Sequence, residues 1–159
     1  MNKAAIIARI IAELDKELAL YAQSARSAHE EATDDQSRAE HKYDTRGLEA
    51  SYLAHGQSRQ AAETEQARDA FAALPPRPFG PGEPADLGAL VEVESDGQTA
   101  WYFLGPRAGG TEVRHGGRTI LVLTPQSPLG KALTGQCAGA TVTLDLGRER
   151  RTCRVLTVR

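Results

Sequence analysis

Five carboxylates lie close together in one short stretch of the chain, between residues 34 and 49. An acidic cluster of this kind is a candidate for a role in catalysis. Each acid also has an ordinary structural role, since an aspartate can cap a helix and carboxylates near a helix start interact favourably with its dipole. The acids are Asp34, Asp35, Glu40, Asp44 and Glu49, and the bases Arg38, Lys42 and Arg46 are interleaved with them.

The flanking sequence shows which elements position this cluster. All eight prolines lie at Pro75 or later, and only Gly47 and Gly56 of the fifteen glycines precede Pro75. A proline-free stretch permits long helices, whereas the remainder of the chain is rich in residues that form turns. The proline-rich segment 75–84 predicts a stiff, extended linker between an N-terminal region, 1–74, and a C-terminal domain, 85–159.

The first part of the N-terminal region has the pattern of an amphipathic helix. Apolar or small residues recur at alternate spacings of four and three, which is a heptad seam sustained over more than three repeats. Polar residues fill the other faces, so this helix needs a partner for its seam. The seam comprises Ile7, Ile11, Leu14, Leu18, Tyr21, Ala25, Ala28 and Ala32.

A second helical stretch, 48–74, is the expected partner, although its pattern is poorer. Leu53, Ala67, Phe71 and Leu74 fit one seam, and polar residues occupy the positions between them. We predict an antiparallel helical hairpin on the order of 45 Å long, with its tip near 33–47. A parallel homodimer of the first helix is the alternative.

The C-terminal domain alternates strand-like runs with turn signals. Five or so strands are predicted within 87–94, 99–104, 111–114, 118–123, 140–146 and 152–158. One short helix follows Ser127, a good N-cap, with Pro128 suited to its first position and Gly135 to its end. The chain is therefore predicted to be α+β, a helical hairpin followed by an antiparallel sheet with one short helix.

Composition excludes several classes of function. The net charge is −2, with 13 acids against 9 bases in residues 1–74 and 8 against 10 thereafter, so DNA binding is not indicated. No signal peptide or membrane-length apolar stretch is present, and two cysteines are too few for a disulfide framework. The expected location is the cytoplasm.

The sequence motif Ser-Pro-Leu-Gly-Lys-Ala-Leu-x-Gly, at 127–135, resembles the C-terminal domain of the bacterial Gre (GreA/GreB) transcript-cleavage factors. Gly105-Pro106 after the second predicted strand strengthens the resemblance, which covers residues 85–159. It implies a fold similar to FK506-binding proteins and docking at the mouth of the secondary channel of RNA polymerase. The implied contact residues are Ser127, Pro128, Leu129 and Lys131.

The same resemblance implies a role for the acidic cluster. In Gre factors the hairpin threads the secondary channel, and tip carboxylates help to hold a second Mg²⁺ beside a backtracked RNA 3′ end. Here Asp44, with Glu49 or Glu40, would supply the ligands, and Asp44 and Glu49 would hold the Mg²⁺. The protein would be an accessory factor with no cofactor of its own, not an enzyme.

The tip departs from the Gre pattern Asp-Leu-Ser-Glu-Asn-Ala-Glu-Tyr. When Asp44 is aligned with the first residue of this pattern, Gly47 takes the place of the first Glu. When residues 50–52 are aligned with its end instead, Thr45 takes the place of the Asp and Leu48 that of the first Glu. A non-cleaving channel regulator of initiation or pausing is therefore the alternative function. An independent prolyl isomerase is a third, for which the available aromatic residues are Phe79, Trp101, Tyr102 and Phe103.

Overall fold

A computed structural model of the chain describes residues 1–33, 46–145 and 150–159. It contains long helices in the N-terminal region and a sheet in the C-terminal region, as the sequence predicts. The elements are α1 (Lys3–Thr33), α2 (Arg46–Ala72), β1 (Leu90–Ser95), β2 (Gln98–Leu104), β3 (Glu112–His115), β4 (Arg118–Leu123), α3 (Pro128–Leu133), β5 (Thr141–Asp145) and β6 (Arg150–Val158). None of the described helices is both long and apolar enough to span a membrane.

The six strands form one sheet in the order β3-β4-β2-β1-β6-β5. The sheet is mostly antiparallel, so the predicted α+β class is confirmed. One pair differs from the predicted antiparallel arrangement: β2 runs parallel to β4, with Trp101 opposite Ile120 and Leu104 opposite Leu123. The reason is that β3 is the edge strand and β4 lies between β3 and β2. Because β4 is antiparallel to β3, it runs in the same direction as β2.

Side chains of the strands alternate between two buried faces. On one face Val91, Val93 and Val155 join a core that also contains Leu133 of α3. On the other, Phe103 lies with its ring centroid 6.2 Å from that of Phe71, near the end of α2. The sheet is therefore covered by helical residues on both faces, as an apolar strand pattern on two sides requires.

The chain divides into two compact units, residues 1–13 with 69–159 and residues 14–68, which we call the head unit and the arm unit. The start of α1 belongs to the head unit because Ile6 and Ile10 are fully buried. Segment 75–84, which the sequence suggests as a linker, also lies within the head unit.

One cation of α1, Lys3, contacts this segment, and a second cation, Arg77, packs within it. The Arg77 guanidinium lies 3.9 Å from the centre of the Phe79 ring, and the Lys3 ammonium lies 4.4 Å from it. Lys3 also donates to the carbonyl oxygen of Gly88, at 3.2 Å. Burial, reinforced by the nearby charge of Arg77, lowers the pKa of Lys3 from 10.5 to about 8.

In the arm unit the helices are antiparallel. Arg68 on α2 pairs with Asp15 on α1, Nε to Oδ1 2.6 Å, and Thr64 hydrogen-bonds to Tyr21. As the α1 residue number rises, that of its α2 partner falls, as in the antiparallel arrangement that the sequence predicts. The Tyr21 hydroxyl also donates to Glu17, and this hydrogen bond raises the pKa of Tyr21.

The predicted heptad seam is buried only in part. Leu14, Thr64 and Ala67 are buried, but Ala25 and Ala28 are exposed. Leu53, which the pattern also assigns to the seam, is 68% exposed. A periodic pattern identifies a face of a helix, but alanine side chains on that face are too small to fill the space between two helices.

Candidate partner-docking surface

The short helix α3 begins as the sequence predicts. Ser127 is its N-cap, with an extended backbone, and Pro128 occupies the first turn. The Ser127 hydroxyl accepts the Gly130 N–H at 3.1 Å and donates to the Thr124 carbonyl at 2.8 Å. One hydroxyl therefore closes the turn before the helix and satisfies an amide of its first turn.

Gly130 is fixed by packing rather than by backbone freedom. A Cβ atom at this position would lie 1.9 Å from the Thr124 carbonyl oxygen and 2.7 Å from Ser127 Oγ. Leu133, one turn further along, is fully buried, and Gly135 has a φ of +82°. Four residues of the 127–135 motif therefore stabilise the fold itself: Ser127, Gly130, Leu133 and Gly135.

The remaining predicted contact residues separate into two kinds. Pro128 and Lys131 are exposed and lie three positions apart, so they share one face of α3. Ser127 is half-buried by its capping role, and Leu129 packs partly against the core. The outward face of α3 thus presents a rigid pyrrolidine ring and a cation.

A second loop lies beside the start of α3, although the sequence does not indicate that the two are neighbours. Because β2 and β4 are parallel, the segments that follow them leave the same edge of the sheet. Gly105 N–H donates to the Leu123 carbonyl, at 2.8 Å, and a Cβ on Gly109 would lie 3.3 Å from Thr124 Cγ2.

Arg107 is exposed in this loop, and sequence reasoning missed it. Ala108, which follows it, has a φ of +56°, a left-handed conformation that disfavours residues other than glycine. The exposed cation is therefore held on a loop with a defined backbone, on the edge of the sheet from which α3 also starts.

The structure does not describe the side chains of the predicted tip carboxylates. Asp44 and Glu40 lie outside the described residues, and Glu49 lies within α2. Within the ranges that the structure describes, no group of three or more His, Cys, Asp or Glu side chains is arranged to hold a metal ion. The proposed Mg²⁺ ligands therefore remain predictions.

The aromatic residues considered for prolyl isomerisation serve packing. Trp101 is buried, with the Arg118 and Arg159 guanidinium carbons 5.4 and 6.0 Å from its ring centre, and Phe103 is fully buried. Phe79 lines an open cleft of about 270 Å³ whose walls include residues 79–83 and 156–159. Phe79 is the one aromatic side chain of this cleft, so the cleft does not provide the aromatic lining that proline binding needs.

Comparison with known proteins gives a likeness at low identity. The chain is similar to the structure of the transcription factor Gfh1, with 24% identity and a TM-score of 0.41 over 96% of this chain and 92% of the other. The GreA factor homolog 1 (Gfh1) protein of Thermus thermophilus gives 23% identity and a TM-score of 0.39, with 96% and 94% covered. For Thermus aquaticus Gfh1 the values are 23% and 0.41, with 93% and 92% covered.

No family model and no curated protein matches the chain. With TM-scores this low, the function proposed below rests on the residues of this chain and not on the structural likeness.

Proposed function

We propose that the protein is a factor that binds RNA polymerase at its secondary channel. The supporting observation is that the residues of the 127–135 motif fall into two sets. Ser127 and Gly130 are accounted for by the fold, whereas the side chain of Lys131 and the ring of Pro128, which also begins the helix, face solvent. Exposed residues within a sequence that otherwise resembles the Gre docking helix are those expected to contact the polymerase.

The arm unit then supplies the second part of the function. Residues 34–45 separate the two antiparallel helices in the sequence, and their carboxylates would reach into the channel when the arm enters it. Asp44, with Glu49 or Glu40, would act as ligands for a Mg²⁺ ion in the polymerase active site. That ion would stabilise the attacking and leaving oxygens when a backtracked nascent RNA is hydrolysed.

If the protein docks through α3, reversing a charge should weaken polymerase binding only at the edge of the sheet where α3 lies. Lys131→Glu should weaken polymerase binding about tenfold, because a reversed charge at an interface costs both the attraction and the desolvation of the new group. Arg151→Glu is the matched control, since Arg151 lies on β6 near the β1–β2 turn, 3.9 Å from Asp96. Titration of labelled protein with polymerase measures both, and equal effects of the two variants would contradict docking through α3.

Cleavage predicts short RNA fragments from a backtracked elongation complex supplied with this protein and Mg²⁺. Asp44→Ala combined with Glu49→Ala should slow fragment release on the order of a hundredfold, because metal ligands contribute several kcal/mol to such a reaction. Polymerase affinity should be unchanged. Normal cleavage by this variant would remove these carboxylates from the assignment.

The sequence of the tip favours one alternative, a channel regulator that does not cleave. Neither alignment of the tip with the Gre pattern retains both acids, and Gly47 occupies one of the acidic positions when Asp44 is aligned. This function predicts polymerase binding and altered initiation or pausing with no fragments. The same assay therefore separates the two functions.

A further inference from the structure

In the middle of each helix of the arm unit, the described side chains form no buried core. We call residues 17–28 of α1 and 53–63 of α2 the distal arm. Every one of these side chains is exposed or half-buried, whereas Leu14, Thr64 and Ala67 at the base of the arm are buried. Helices gain most of their stability from burying an apolar face, so the distal arm is stabilised far less than the base.

Gly56 weakens the same segment further. It lies in the interior of α2, and a Cβ atom added there would meet no atom within 4 Å. Neither close packing nor a left-handed backbone requires glycine at this position. Relative to alanine, a glycine in a helix interior lowers the helix equilibrium constant about four- to fivefold.

Two polar contacts between the helices involve residues at the base of the arm, since Arg68 pairs with Asp15 and Thr64 hydrogen-bonds to Tyr21. The Arg68–Asp15 pair lies at the base and is exposed, with 42% and 49% of the two side chains accessible. Exposed ion pairs of this kind stabilise a fold little. Leu20 and Leu53 are 63% and 68% exposed, so two of the three leucines of the distal arm remain largely in water.

A second copy of the chain is poorly suited to supply the missing contacts. Its arm would present the same small and polar residues, so pairing two arms would bury little apolar area. The better occupant is the interior of the channel that the proposed function already assigns to the arm.

We propose that the helical order of the distal arm is coupled to polymerase binding: in the free chain this segment opens locally, and insertion into the channel holds it as a continuous hairpin. The identity of the partner rests on the proposed function. The local opening rests only on the contacts of the free chain.

Hydrogen exchange of the free protein tests the local opening directly. Backbone amides of the distal arm should exchange at least a hundredfold faster than those at the base of the arm and in the head unit, because local opening exposes them without global unfolding. In complex with RNA polymerase their exchange should slow by at least a hundredfold. Equal protection of the distal arm and the base in the free chain would overturn the proposal.

A matched pair of substitutions on α2 tests the coupling itself. Gly56→Ala favours the helix before binding and should tighten polymerase binding by up to about four- to fivefold, the full factor applying where the open form dominates the free chain, whereas Ala54→Gly should weaken binding by up to about the same factor. Both positions are exposed, and both substitutions change one methyl group. Unchanged affinity in both variants would overturn the coupling.

Failure of the unmodified chain to bind polymerase would instead overturn the proposed function. The exchange measurement on the free chain would still decide whether the distal arm opens.

Discussion

Replacing Phe71 by alanine is expected to lower the free energy of unfolding of the head unit by about 3–5 kcal/mol. Phe71 is fully buried, and its ring lies 6.2 Å from that of Phe103 on β2. The site is closely packed, since a Cβ atom on Gly105 would come within 2.6 Å of Phe71 Cζ. A smaller side chain therefore leaves a cavity that the surrounding residues fill only in part.

Urea unfolding followed by tryptophan fluorescence measures this effect. Trp101 is the single tryptophan of the chain and is buried on β2, so its emission reports on the head unit. Leu53→Ala on the same helix is the control, and we expect it to change stability by no more than about 0.5 kcal/mol because Leu53 is exposed. A Phe71→Ala loss below about 1 kcal/mol would mean that α2 does not contribute to this core.

Gly130→Ala is expected to destabilise the head unit by about 3 kcal/mol or more. The new methyl group would lie 1.9 Å from the Thr124 carbonyl oxygen, a backbone atom that cannot rotate away. Relief requires movement of α3 or of the turn that Ser127 closes. The helix would then lose the capping hydrogen bond between Ser127 Oγ and the Gly130 N–H.

The neighbouring position provides the control for this variant. Lys131→Ala removes an exposed side chain from the same helix, and we expect a stability change within about 0.5 kcal/mol. Thermal and urea unfolding should therefore separate the two variants clearly. If Gly130→Ala proved as stable as Lys131→Ala, the close approach of α3 to Thr124 would be wrong.

The predictions that succeeded depend on local chemistry. Turn signals between the strands were one such prediction, and in the turn between β1 and β2 the residues Asp96 and Gly97 both have positive φ angles, 52° and 75°. Ser127 and Pro128 fix the start of α3 through interactions within a few residues. Such features could be predicted because the groups that determine them are neighbours in the chain.

The features that the sequence did not reveal depend on distant parts of the chain. The parallel pairing of β2 and β4 follows from the position of β3 at the sheet edge, and nothing in either strand encodes it. Arg107 was missed for the same reason, since its loop becomes a neighbour of α3 only through that pairing. Periodicity along α1 likewise identified Ala25 as a seam residue without indicating that it stays exposed.

The head unit is assembled from two separate pieces of chain, residues 1–13 and 69–159, with the arm unit between them. To the head unit the arm is therefore a loop that folding must close. The entropy lost on closing a flexible loop grows only with the logarithm of its length, about 0.6 kcal/mol for each doubling. The length of the arm unit can therefore change in evolution or by engineering at little thermodynamic cost to the head unit.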